Sequence, residues 1–186
     1  MCKLLDKVQP KNKVQLKQLI NYAFKHNIYD LNFIDTSEIT DMSKLFMSCA
    51  YDIDVSSWDV SNVTNMYNMF YCCKNFDCDL SNWNVSNVTD MYSMFIACEN
   101  FKGKGLENWD VSNVKDIGSM FAGCENFNCD LSNWDMSNVT DMGYAFIDCE
   151  KFKGKGLENW NVINVTSMRH MFDGCNKLTI PDWYKK

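Results

Sequence analysis

The sequence predicts an α/β repeat fold: a leucine-rich-repeat-like solenoid with one short strand and one short helix per turn of 25 or 26 residues, and a capping helix at the N-terminus. Three columns of residues predict it. Tryptophan stands at 58, 83, 109, 134, 160 and 183, and phenylalanine at 46, 70, 95, 121, 146 and 172. A cysteine follows each of those phenylalanines by three, at Cys49, Cys73, Cys98, Cys124, Cys149 and Cys175. A fixed period of this length marks a chain whose units complete one another's core, because a single unit buries too little apolar surface to offset its ordering entropy.

Taken in order, residues 1–30 read as a leader and capping helix, and residues 31–186 as the repeat solenoid with a truncated C-terminal turn. The helix is expected from Asn12, which can cap it, to about His26, with Leu16, Leu19, Ile20 and Ala23 among its apolar positions. A degenerate first turn runs from Leu31 to Cys49. Full turns begin at Val55, Leu80, Leu106, Leu131 and Leu157, and Ile180 and Trp183 hold the Leu and Trp places of the last. Within one unit, Leu80–Val85 reads as a strand, since an aromatic and a β-branched residue stand two apart. Val88, Met91, Met94, Phe95 and Cys98 then read as one stripe of a helix of about ten residues. The units alternate between a 25-residue kind and a 26-residue kind. The longer carries KGKG at Lys102–Gly105 and Lys153–Gly156, where glycines absorb the extra residue and run into an extended segment.

Composition narrows the function classes. The 186 residues are 46% hydrophobic and 23% charged, ordinary for a folded domain. The formal charge of −6 argues against nucleic-acid binding, which needs a basic footprint. No apolar run is long enough to span a bilayer, and the first residues carry no signal-peptide core. A second reading makes Cys2 the acylated first residue of a processed lipoprotein. The six column cysteines share one repeat phase, so reduced core thiols are expected rather than bridges. Cys78 and Cys129 are expected as loop or edge thiols.

The pattern LSNWDVSNVTDMxxMFxxC, carried by residues 59–64, Trp83 to Cys98, Trp109 to Cys124, Trp134 to Cys149 and Trp160 to Cys175, resembles the bacterial surface-protein repeat of the BspA-like group of leucine-rich-repeat proteins. Ile34–Phe46 after the N-terminal PKNKVQLKQLI is similar to that group's entry segment. The resemblance covers roughly residues 10–186 and implies a solenoid in a surface or secreted binding protein, often adhesin-like. The chain departs from it in its cysteine content and in lacking a visible export signal, which leaves a cytoplasmic location open.

The expected function is therefore non-enzymatic binding of a protein or glycan partner by a monomer, with no cofactor, no metal, no nucleic acid and no membrane span. The contact residues would be the polar ones of the strand segments: Ser81, Asn82, Glu107, Asn108, Ser132, Asn133, Glu158 and Asn159. The alternative is an intracellular structural or scaffold repeat. Sharper readings give way to structural ones. Asp59, Asn84, Asp110, Asp135 and Asn161 favour turns by bonding nearby amides more than they suggest a cation ladder. Cys72, Cys73 and Cys78 lack a histidine at zinc spacing. The KGKG loops do not open onto a helix as a phosphate loop does. A serine at Cys124 is expected to leave a buried hydroxyl unpartnered, and to cost more than one at Cys78.

Overall fold

The structure, a computed structural model, describes residues 7–185. Cys2 and the rest of residues 1–6 of the leader lie outside the described residues. Helix α1 spans Lys13–Lys25, and the Asn12 side chain accepts the Gln15 amide at 3.0 Å, as the sequence predicts. Leu16, Ile20 and Ala23 are buried in the same core as the repeats, and Lys13 Nζ reaches Asp41 at 3.0 Å. These contacts fix the helix over the first unit.

The predicted solenoid of strands and helices is overturned. Among the described residues, the regular elements are α1 and two three-residue 3₁₀ helices, Leu106–Asn108 and Leu157–Asn159. Pairing between units is limited to isolated parallel bridges, such as Asp41 with Asn65, Asn65 with Asp90, and Asp90 with Asp116. The expected strand Leu80–Val85 and the expected helix over Val88–Cys98 are both runs of turns.

The physical reason lies in the backbone. Hydrogen bonds from residue i+3 back to residue i close Leu80–Trp83, Val85–Val88, Met91–Met94, Phe95–Cys98 and Cys98–Phe101, at 2.8–3.2 Å. A core residue stands at both ends of each turn, so apolar side chains recur every three residues without any helix. Ser93 and Ala97, the third residues of two of these turns, have φ of 57° and 54°. The same left-handed pair recurs at Lys44 and Ser48, Asn68 and Cys72, Ser119 and Gly123, Tyr144 and Asp148, and His170 and Gly174. A reversal every four residues excludes both a continuous helix and a continuous strand.

The amides that the turns leave over bond the next unit. Met66, Asn68, Phe70 and Cys72 donate to the carbonyls of Asp90, Tyr92, Met94 and Ile96 at 2.7–3.1 Å, and the equivalent residues of the other units repeat this pattern. Successive units therefore pack in register. Phe46, Phe70, Phe95, Phe121, Phe146 and Phe172 form one line, with neighbouring rings 5.3–5.8 Å apart. Tryptophan rings stack across the 26-residue steps, Trp83 on Trp109 at 6.3 Å and Trp134 on Trp160 at 6.4 Å. Each indole N–H donates to a carbonyl of the preceding unit, Trp109 to Leu80 at 3.3 Å and Trp134 to Leu106 at 2.8 Å, which satisfies the polar atom that burial would otherwise penalise.

The extra residue of the longer units forms the two 3₁₀ helices, so the segment after each KGKG is not extended. Gly105 has φ of 95°, and a Cβ there would lie 2.2 Å from the Ser81 amide nitrogen. Gly156 meets Ser132 in the same way. These glycines permit a backbone contact between units, which is more than slack for an insertion.

Candidate functional site

The eight residues expected as contacts lie in register just before each tryptophan, but most of their polar atoms are engaged within the protein. Asn82 and Asn133 donate to the carbonyls of Ser56 and Glu107 in the preceding units at 3.5 and 3.1 Å. The Ser81 and Ser132 hydroxyls both bond aspartates, Asp79 and Asp130, at 2.5 Å. Glu107 and Glu158 accept the amides of Gly105 and Gly156 at 3.0 Å. Only the exposed Asn108 and Asn159 keep side chains without a hydrogen-bond partner among the described residues. Two members of this row join units, and four more close local turns.

The other polar columns have the same work. Asn62, Asn87, Asn113, Asn138 and Asn164 each donate to a backbone carbonyl one unit back, at 2.7–2.8 Å. Asp59, Asn84, Asp110 and Asp135 accept the amide of the serine two residues on at 2.9–3.1 Å. That is the turn chemistry read from the sequence. Lys104 and Lys155 pair with Asp79 and Asp130 at 2.7 and 2.6 Å, so the KGKG lysines also bind unit to unit. Those pairs, with the serine hydroxyls, hold both aspartates at about 2.

The thiols are donors as well as packing. Cys73, Cys98, Cys124, Cys149 and Cys175 point Sγ at the carbonyls of Phe46, Phe70, Phe95, Phe121 and Phe146, at 2.9–3.0 Å. The nine described cysteines are unbridged. Burial pushes Cys73 up to about 12 and Cys98, Cys124 and Cys149 well above the usual range, which suppresses the nucleophilic thiolate. Cys78 and Cys129 are buried too, against the expectation of edge thiols, and burial raises both to about 12. Cys78 lies 3.6 Å from Asp54, and Cys73 is committed to Phe46. Among the described residues, no group of three or more His, Cys, Asp or Glu is arranged to hold a metal ion.

A different face presents two tyrosines whose hydroxyls have no hydrogen-bond partner among the described residues. Tyr67 and Tyr92 stack at 5.7 Å, and Lys44 caps Tyr67 at 5.2 Å. The Tyr92 ring leans over Gly118, where a Cβ would lie 3.1 Å from it. Beside them runs the column Asp41, Asn65, Asp90, Asp116 and Asp141, each accepting the amide two residues ahead at 2.7–2.9 Å. Burial, with Asp141 and Asp90 on either side, raises Asp116 above the ordinary carboxylate range. Tyr144 continues the face, stacked on His170 at 5.2 Å and covered by Arg169. Sequence reasoning missed this face. The available signal was Asn65-Met-Tyr67 recurring as Asp90-Met-Tyr92, two residues outside the core stripe.

The architecture so defined is a repeat protein built from hydrogen-bonded turns, with its polar columns shared between joining units and facing outward. The chain belongs to the family described as Mycoplasma protein of unknown function, DUF285, which matches residues 14–105 and again 89–184. No curated protein and no solved structure matches the chain. Among the described residues, no helix is long and apolar enough to cross a membrane.

Proposed function

We propose that this is a non-enzymatic, adhesin-like binding protein whose repeats present a fixed outer face to a protein or glycan partner. The observation that carries the proposal is the Tyr67–Tyr92 stack beside Asp90 and Asp116. Stacked tyrosines offer a broad amphipathic surface at low cost in conformational entropy, and such residues dominate recognition hot spots. Neighbouring carboxylates add hydrogen-bond acceptors suited to hydroxyls or amides. The backbone beneath is bonded unit to unit, so the face needs little ordering on binding. The repeat motif's likeness to bacterial surface-protein repeats supports the same reading.

The test is a panel of extracellular-matrix proteins and neutral glycans probed with the whole chain and with Tyr67→Ala/Tyr92→Ala. A ligand bound by the native chain and released by the double variant, with unchanged thermal unfolding, supports the proposal. Equal binding by both proteins, or none by either, counts against it. The second reading, an intracellular scaffold, is favoured by the thiol column, since five S–H donors must stay reduced to make their bonds. A partner that engages the chain equally well after both tyrosines are removed would favour that reading.

A further inference from the structure

We propose that a groove on the repeats binds an acidic glycan. Lys102, Lys151, Lys153 and Lys177, with Asn126 and Asn128, line an open groove of about 570 Å³, and no carboxylate lines it. This concentration of positive charge stands in a chain whose net charge is −6. Three of its four lysines differ from those nearby. Lys74, Lys104 and Lys155 are paired with Glu99, Asp79 and Asp130, whereas Lys153 and Lys177 have no acidic partner among the described residues. Lys102 is anchored on Asp77 through its backbone amide and its ammonium group. Lys151 rests on the Asn126 carbonyl oxygen at 2.5 Å.

The amides are oriented too. Asn128 Oδ1 accepts the Lys153 backbone amide at 3.1 Å, which leaves its NH₂ end as a donor with no protein acceptor. Uncompensated ammonium groups beside an oriented amide donor make a site for oxyanions.

The spacing selects a chain over a single ion. The lining residues come from four successive units and flank the buried Phe101, Phe127 and Phe152, whose rings are 6.3 and 5.4 Å apart from unit to unit. The positive charge is thus drawn out along the repeat axis, over four units that one oxyanion cannot span. A polymer with a carboxylate or sulfate on successive sugars matches it. Nucleic acid does not: no aromatic ring lines the groove to stack a base. The groove lies eight to ten residues further along each unit than the tyrosine column and does not depend on that column's role.

Titration calorimetry with the full chain tests the proposal, using oligogalacturonate as the carboxylate probe and heparin oligosaccharide as the sulfate probe. Binding of either, weakening as salt rises, is expected. Lys153→Gln/Lys177→Gln should lower affinity by about tenfold or more, and Lys104→Gln, which removes a paired lysine, by no more than about twofold. The probe that binds identifies the anionic group. Failure of both probes would overturn the proposal. So would an equal loss in Lys104→Gln, or equally tight binding of a single-stranded oligonucleotide of the same charge.

Discussion

At Cys124 the thiol does two jobs, filling a fully buried site and donating to the Phe95 carbonyl at 2.9 Å. The cost expected for a serine there assumed a hydroxyl with nowhere to donate. The structure supplies the acceptor, so Cys124→Ser should cost less than about 1 kcal/mol. Cys124→Ala, which loses the donor and leaves a small void, should cost about 1–3 kcal/mol. Denaturant midpoints of the two variants check the order, and a serine worse than alanine would refute the donor role. Asp116 makes the opposite kind of case. Its carboxyl is raised, chiefly by burial and then by Asp141 and Asp90, so the folded state holds its proton more tightly than the unfolded state does. Stability must then fall as pH rises from the ordinary carboxylate value through the raised one, and the penalty persists at neutral pH. Asn65 already occupies the same column and accepts the Tyr67 amide. Asp116→Asn should therefore keep the turn and raise Tm at pH 7 by about 1–3 °C. The gain should vanish in acid below the unfolded carboxylate pKa, which thermal melts across pH would read.

The element to understand is the four-residue turn, and its glycines separate two causes. Gly123 has φ of 70°, and a Cβ would come no closer than 3.6 Å to any neighbour. Ala97 holds the same place one unit earlier at φ 54°. Gly123→Ala should thus cost only about 1 kcal/mol of backbone strain. Gly105→Ala drives a Cβ into the Ser81 backbone, which cannot rotate away, and should cost about 2–4 kcal/mol. Equal midpoints for the two variants would mean that the units can part at Gly105 without loss. The turns also explain which features the sequence revealed. The Trp, Phe and Cys columns were legible because burial repeats with the unit, and α1 was legible because Asn12 and an apolar side announce it. The inner conformation was not legible. Chained i to i+3 turns and a helix both put apolar residues three apart, and only the adjacent buried pair Met94–Phe95 hints that one turn closes where the next opens. Nor does the sequence announce left-handed residues when Ser93, Ala97, Tyr144 and His170 adopt them without glycine. The tyrosine face and the lysine groove were missed for a related reason. Their members are strong only as columns, which appear once neighbouring units are set side by side.

Across the whole molecule, each unit touches its neighbours and little else, so stability should be distributed by position along the array. The first unit is covered by α1, with Leu16 and Ala23 fully buried. The last unit is closed less well: Val162, Val165, Met168, Cys175 and Trp183 are only partly buried. Backbone amides that donate from one unit to the next report each junction separately. Met91, Ser93, Phe95 and Ala97 report a central junction, and Met142, Tyr144, Phe146 and Asp148 the final one. Hydrogen exchange should be slowest at the central junction, intermediate beneath α1 at Met42, Lys44, Phe46 and Ser48, and fastest at the final one. Trp109→Ala, which removes a ring buried between two units, should cost about 3–5 kcal/mol and speed exchange on both sides of the gap. Trp183→Ala should cost clearly less and speed exchange only at the final junction. If both variants instead raised exchange uniformly along the chain, the units would be opening together, and nearest-neighbour packing would not be what sets local stability.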